Sequence, residues 1–274
     1  MTDSSRVGKN KHVKEVRKPF MTGTPKDENT LKSALKFFGL MIVIIFVAFI
    51  TCASTATGSL VIRLVINIAV IAVTIMIFYH NGAGRGADDI SRGEILYQKK
   101  EKGQEINEAE RKLCYHRFKG FLTGLIGMIP FILLGIVFAL NTTIQTADPG
   151  TLPSWMQSYT KRSDIGDALV AYTQPEGMNV IGIIRMIIRI CIIPYVNLVG
   201  YENNMGMLFL ERICPVLFLL PAVSYGIGYL TGKKIRTGIH TAISENEKKR
   251  IRKEKKRIRA RTGQNRRHEP EQLN

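Results

Sequence analysis

Asp88, Asp89 and Glu94 place three carboxylates within two helical turns, directly after the glycine-rich stretch NGAGRG at 81–86. Carboxylates so spaced are hard oxygen ligands, and at a membrane mouth they would hold a magnesium ion for chemistry on lipid phosphates. Enzymes of that kind gather acids from more than one segment. Here the next acids, Glu101, Glu105, Glu108 and Glu110, interleave with lysines and read as a solvated helix face. The glycines invite a phosphate-loop reading, but that loop follows a β-strand, whereas an apolar stretch of membrane-helix length precedes this one. An irregular turn is predicted over 81–86 instead. The five histidines, His12, His80, His116, His240 and His268, are isolated and lie in the segments predicted to be cytoplasmic, and His116 is expected, with its neighbour Cys114, on the surface. Cys52, Cys114, Cys191 and Cys214 lack CxxC spacing, so neither a zinc site nor a disulfide framework follows. The chain reads as non-enzymatic and without a cofactor.

Ionisable residues inside or beside apolar runs form the second group: Arg63, Arg185, Arg189, Glu211 and Arg212. A charge in a membrane segment is a functional-site hypothesis by default. All five stand close enough to a run's end for their side chains to snorkel to the headgroups, which is the plainer reading. The functional version is an outward-facing vestibule that accepts an anion, with Glu211 pairing one arginine.

The third group is the tail, KKRIRKEKKRIRARTGQNRR. Lys248, Lys249, Arg250, Arg252, Lys253, Lys255, Lys256, Arg257, Arg259 and Arg261 put positive charge all round a helix expected to start near Glu245, with Ser244 and Glu247 as its cap. Two anionic partners fit: lipid headgroups, or the phosphates of RNA on a ribosome. Residues 232–274 contain no Phe, Tyr or Trp, so base stacking is excluded and any RNA contact is to phosphate.

What must position these groups is a set of apolar helices. The chain has 274 residues and a formal net charge of +17, and its apolar and charged residues are segregated into blocks. Residues 1–36 read as a disordered basic cytoplasmic arm. Residues 37–79 form a tight hairpin of two membrane spans turning at Thr57 and Gly58. Residues 80–119 are a cytoplasmic helical loop, with Ser91 and Glu94 as a capping box, Gly103 as a stop and Asn107 as a second cap. From there a helix is expected to run unbroken into the third span, 120–140. Gly120, Gly124 and Gly127 of that span offer a face for close helix approach, and Pro130 a kink. Residues 141–178, poor in Lys and Arg and holding Trp155, read as a non-cytoplasmic loop.

Residues 179–200 are the ambiguous element. Inserting 180–199 gains about 0.5 kcal/mol for each Ile, Val and Leu, and costs about 2.5–3.5 kcal/mol for each of Arg185 and Arg189, so the sum is near zero. Charge bias decides: if both basic ends stay in the cytoplasm, one crossing remains after residue 141, and the charge-free run 213–230 takes it, giving a fourth span over 205–231 and a cytoplasmic tail over 232–274. The 179–200 segment is then an amphipathic helix in the outer interface, arginines toward headgroups and isoleucines down. The alternative is a re-entrant segment lining a polar cavity with Gly182, Arg185, Arg189 and Asn197.

The expected fold class is all-α: a multi-pass cell-membrane protein with four transmembrane helices, an outer interfacial or re-entrant helix, and basic termini in the cytoplasm. Its partners are the lipid bilayer, an anionic lipid or RNA/ribosome surface at the tail, and a membrane-protein partner or second copy of itself. The expected function is a non-enzymatic interaction or assembly component. The alternatives are a small permease-like transporter subunit with an arginine-lined outer vestibule, and an insertase-like factor.

Overall fold

The structure, a computed structural model, describes residues 16–54, 59–142, 152, 155–166, 168–169, 180–200 and 203–266. Among these residues it is all-helical. The elements are α1 (Thr30–Ala53), α2 (Leu60–Glu101), α3 (Glu108–Lys112), α4 (Lys119–Asn141), a 3₁₀ turn (Gln157–Lys161), α5 (Val180–Cys191), α6 (Ile193–Val199) and α7 (Asn204–Arg266). Four of them, α1, α2, α4 and α7, are long and apolar enough to cross a membrane.

The helices α2 and α7 form the spine of the bundle, α4 packs beside α7, and α1 packs on α4. Phe37, Phe78, Met128, Phe218 and Tyr225 fill the centre, with the Phe37 and Phe78 rings 4.6 Å apart. Much of the remaining apolar surface of the spans faces outward, as Val43, Phe46, Val65, Leu133 and Val216 do. Such outward apolar surface accompanies the four helices long and apolar enough to cross a membrane.

The NGAGRG stretch is not a turn but the interior of α2, which continues through it for 42 residues. Its glycines serve helix packing: a Cβ at Gly82 or Gly86 would strike the backbone of Tyr225 or Tyr229, and one at Gly228 would strike the carbonyl of Tyr79. Main chains in contact at this crossing allow no side chain between them. Ser91 and Glu94 therefore cap nothing. Gly103, at φ 73°, does follow the end of α2, and Asn107 accepts a hydrogen bond from the Ala109 amide at the start of α3. The chain breaks between α3 and α4 rather than running on as one helix. Gly120 and Gly124 lie against α7, while Gly127 lies against Phe37 of α1; α4 is continuous through Pro130.

Residues 16–36 are not a disordered arm. Residues 16–29 form an extended strap: the Met21 amide donates to the Gly93 carbonyl at 3.0 Å and the Gly23 amide to the Tyr115 carbonyl at 3.0 Å. The Val16 amide donates to Thr241 Oγ1 of α7 at 3.2 Å. Helix α1 already begins at Thr30, whose hydroxyl donates to Asp27 Oδ1 at 2.6 Å. Residues 1–15, the turn at Thr57 and Gly58, and most of the 141–178 loop lie outside the described residues. Nor do α1 and α2 form a tight hairpin. They touch little, and α6 is wedged between them. Asn197 donates to the Cys52 carbonyl of α1 at 3.0 Å and to Asn67 Oδ1 of α2 at 3.3 Å.

The 179–200 segment is therefore not one amphipathic helix. It is α5 and α6, bent by 90° at Ile192, with Pro194 in the first turn of α6. Ile188, Ile192, Ile193 and Val196 are buried in the bundle core. The tail does not start a new helix at Glu245 either: α7 runs 63 residues from Asn204 to Arg266, span and tail together.

Candidate functional site

The ends of α1, α2, α4 and α7 fall into two groups. One end of the bundle carries the starts of α1 and α4, the extended part of α2, and the tail half of α7. It is joined by the strap's bonds to α2 and α7. This is the basic end. The opposite end carries α5, the end of α4 and the start of α7. Each end holds a buried ionic cluster.

At the basic end Lys119, 3% exposed, opens α4 beneath the α3–α4 loop. Its ammonium lies 2.7 Å from Asp27 Oδ2 of the strap and 3.2 Å from Asp89 Oδ2 of α2. It also donates to the carbonyls of Leu113 at 3.0 Å and Cys114 at 3.3 Å. Tyr229 of α7 donates its hydroxyl to Asp89 Oδ2 at 2.8 Å, and Arg85 and Arg92 stand 3.5 and 3.9 Å from Asp89 Oδ1. Burying three charges is costly, and only this density of partners offsets it. Burial alone would raise the Asp27 carboxyl, but the Lys119 ammonium and the Thr30 hydroxyl outweigh it and hold Asp27 below its ordinary value. Beside this cluster Tyr115 stacks on Tyr229 at 5.1 Å, and Lys233 sits 4.8 Å over the Tyr115 ring.

Glu94 belongs to a neighbouring pair of contacts. Arg236 grips Glu94 Oε2 through Nε at 2.9 Å and a terminal nitrogen at 2.8 Å, and His240 Nε2 is 2.7 Å from Oε1. His240 is thus buried and partnered, and Cys114, expected on the surface, is fully buried. His80 is exposed, and the backbone amide of Phe118 donates to His116 Nδ1 at 3.3 Å; His12 and His268 lie outside the described residues. Asp88 is exposed while Asp89 and Glu94 turn to different basic partners, so the three do not converge. No group of three or more His, Cys, Asp or Glu side chains suited to a metal occurs among the described residues.

At the opposite end Glu211, 2% exposed, is the centre. Arg189 donates to Glu211 Oε1 through Nε at 2.9 Å and a terminal nitrogen at 2.7 Å. Arg185 Nε is 3.5 Å from the same oxygen, and Arg185 also donates to Thr142 Oγ1 at 3.2 Å. The Thr142 hydroxyl donates to Glu211 Oε2. Arg185 lies 5.6 Å over the Phe138 ring. Two guanidiniums thus converge on one carboxylate, so that Glu211 pairs with arginine as the vestibule reading expected. A cavity of about 330 Å³ opens beside them, lined by Phe49, Gly182, Arg185, Met186, Arg189 and Ile193. Arg63 and Arg212 do not join: Arg63 lies near Gly200, and Arg212 is exposed on α7. Thr142 was missed in sequence because nothing in its neighbourhood marks a threonine 69 residues away as Glu211's partner.

No family model, curated protein or solved structure matches this chain, so function rests on the chemistry of these sites and of the tail. From 246 to 258 every residue of α7 is exposed, leaving no face of the helix buried. Of the ten basic tail residues, eight fall in that segment; the side chains of Arg259 and Arg261 lie outside the described residues.

Proposed function

We propose that the chain is a four-span protein of the cell membrane with both termini in the cytoplasm, and that it acts as a non-enzymatic docking component whose tail presents phosphate-binding charge to ribosomal RNA. Orientation follows from charge: the strap and the basic tail half of α7 belong to one end of the bundle, and Lys/Arg-rich ends stay cytoplasmic. In the same frame the α5–α6 bend is re-entrant from the outer side, with the arginines held by Glu211.

The observation that carries the RNA reading is the continuity of α7. A helix rises about 1.5 Å per residue, so Lys248 stands about 27 Å beyond Leu230 and Arg266 about 54 Å beyond it. The Debye length in the cell is about 8 Å. Charges carried that far from the headgroups gain little from an anionic lipid surface, whereas a structured polyanion in the cytoplasm meets them directly. A free helix with this many like charges would be unstable. Here the fourth span has already met the cost of nucleation, and the tail propagates from it.

The permease-like alternative needs a polar route through the bundle. Between the two ionic clusters the described residues pack Phe37, Phe78, Met128 and Phe218, and the cavity at that level, about 50 Å³, is lined mainly by apolar side chains. The insertase-like alternative joins an arginine site in the bilayer to a ribosome-facing tail, and the Arg185–Arg189 cavity lies at the opposite end of the bundle from the tail.

The test is sedimentation of the detergent-solubilised full chain with purified ribosomes across a salt series. A helix shows one side to its partner, so about five of the ten basic residues contact phosphate. That gives a slope of log affinity against log salt of about −3.5 to −4.5, and a loss of about 100- to 1000-fold between 50 and 200 mM. Replacing the ten with Gln should abolish binding. Salt-independent binding, or binding that survives the replacement, overturns the proposal.

A further inference from the structure

Gly82 and Gly86 are accounted for by the approach of α7, but Gly84, between them in sequence, points the other way. A Cβ at Gly84 would meet no atom within 4 Å. Glycine in a helix interior costs about 0.5–1 kcal/mol relative to alanine, and no neighbouring helix requires it at Gly84, as at Gly39, Gly182 and Gly238, so the lining of the adjoining cleft, not the glycine alone, points to a ligand. Gly84 lines a cleft of about 660 Å³ between the first turns of α1 and the middle of α2. Lys32, Lys36, His80 and Arg85 surround the cleft with one opposing acid, Asp88. Phe37, Leu40 and Tyr225 line its apolar side. At the far end of the bundle from this cleft, α6 stands between α1 and α2.

Its level in the bundle is set by sequence. The apolar run of α1 starts at Phe37, and that of α2 ends at Tyr79. The basic groups therefore stand at the headgroup plane, and the apolar lining begins where acyl chains begin. Basic pockets between spans on the cytoplasmic side are built to take anionic headgroups.

We infer that the α1–α2 cleft binds the phosphate headgroup of one anionic phospholipid from the surrounding leaflet, with Lys32, Lys36 and Arg85 on the phosphate, Gly84 leaving room for it, and Phe37 and Leu40 against the chains. The inference rests on the four-span reading but not on the tail's partner.

The experiment is native mass spectrometry of the delipidated full chain, titrated separately with phosphatidylglycerol, phosphatidylcholine and inorganic phosphate. Phosphatidylglycerol should bind in preference. The Lys32→Gln/Lys36→Gln variant should lose about thirtyfold in affinity for it, at about tenfold or less per charge. Gly84→Leu projects apolar bulk into the cleft without changing charge, and its Cβ meets no atom within 4 Å, so it should fold and show the same loss. The tail with its ten basic residues replaced by Gln should bind phosphatidylglycerol as the parent does. Equal retention of phosphatidylcholine, full competition by inorganic phosphate, or unchanged binding by Gly84→Leu would each overturn the assignment. If the double-lysine variant does not fold, Gly84→Leu alone decides.

Discussion

Lys119→Met is the perturbation with the most to say about how the basic end is held together. The substitution keeps the length and apolar stem of the side chain and removes the ammonium. It leaves Asp27 and Asp89 buried with carboxylate oxygens no more than about 6 Å apart, since both contact the same nitrogen at 2.7 and 3.2 Å. Breaking a buried ion pair by deleting one partner costs about 3–5 kcal/mol. For a chain of this size 1 kcal/mol moves the unfolding midpoint by about 2–4 °C, so a fall of about 6–20 °C is expected. The assay is thermal unfolding in detergent across pH. In the parent the Asp27 carboxyl is held below its ordinary value of 3.8, so its stabilising share is present above that pH and is lost as pH falls through the lower folded value. Without Lys119 the two carboxylates resist ionising together. Protonation then favours the folded variant, and the gap between variant and parent narrows as pH falls toward 4. Asp27→Asn combined with Lys119→Met should recover part of the loss, because Asp89 keeps Tyr229, Arg85 and Arg92. A Lys119→Met midpoint within about 2 °C of the parent, or a gap that widens on acidification, would refute the reasoning.

Glu211→Gln should lower the same midpoint by removing the carboxylate on which Arg185 and Arg189 converge, and Arg189→Gln in the same chain should restore part of it; additive losses would show that the three do not act as one cluster. Gly228→Val should abolish folded yield by driving α7 off the Tyr79 carbonyl, whereas Gly238→Ala, which meets open space, should stabilise the chain by about 0.5–1 kcal/mol. Size-exclusion profiles of the two variants check that contrast, and equal behaviour would contradict the packing assigned to α2 and α7. A cysteine placed at Glu254 should resist membrane-impermeant maleimide in intact cells and react after lysis; labelling from outside would invert the topology.

The apolar blocks were legible because length and lack of charge are all a span requires, and all four appear in the structure. Gly103 and Asn107 were legible for the same local reason: a helix stop and a cap depend on neighbours in sequence. What could not be read was set by distant contacts. The NGAGRG stretch carries the composition of a turn, and only the main chain of α7 lying against it explains why a helix tolerates those glycines. Lys119 meets Asp27 and Asp89 from 92 and 30 residues away, and neither spacing has a periodicity to betray it. The polar strap lacks an apolar pattern, so its bonds to Gly93 and Tyr115 had no sequence signature. The bend at Ile192 did leave a signal, since Pro194 suits the first turn of a new helix. Treating 180–199 as one insertion unit hid it.

The claim on which the functional account turns is that α7 carries its basic tail away from the bilayer. Energy transfer from a donor at a cysteine replacing Glu254 to acceptor-labelled headgroups, in nanodiscs containing anionic lipid and no RNA, measures that separation. Glu254 lies 24 residues past Leu230, so the account predicts a donor about 30 Å or more above the headgroups, whatever the lipid charge. A donor within about 10 Å of the surface, drawn closer as anionic lipid is added, would mean that the tail lies on the membrane and would contradict the account.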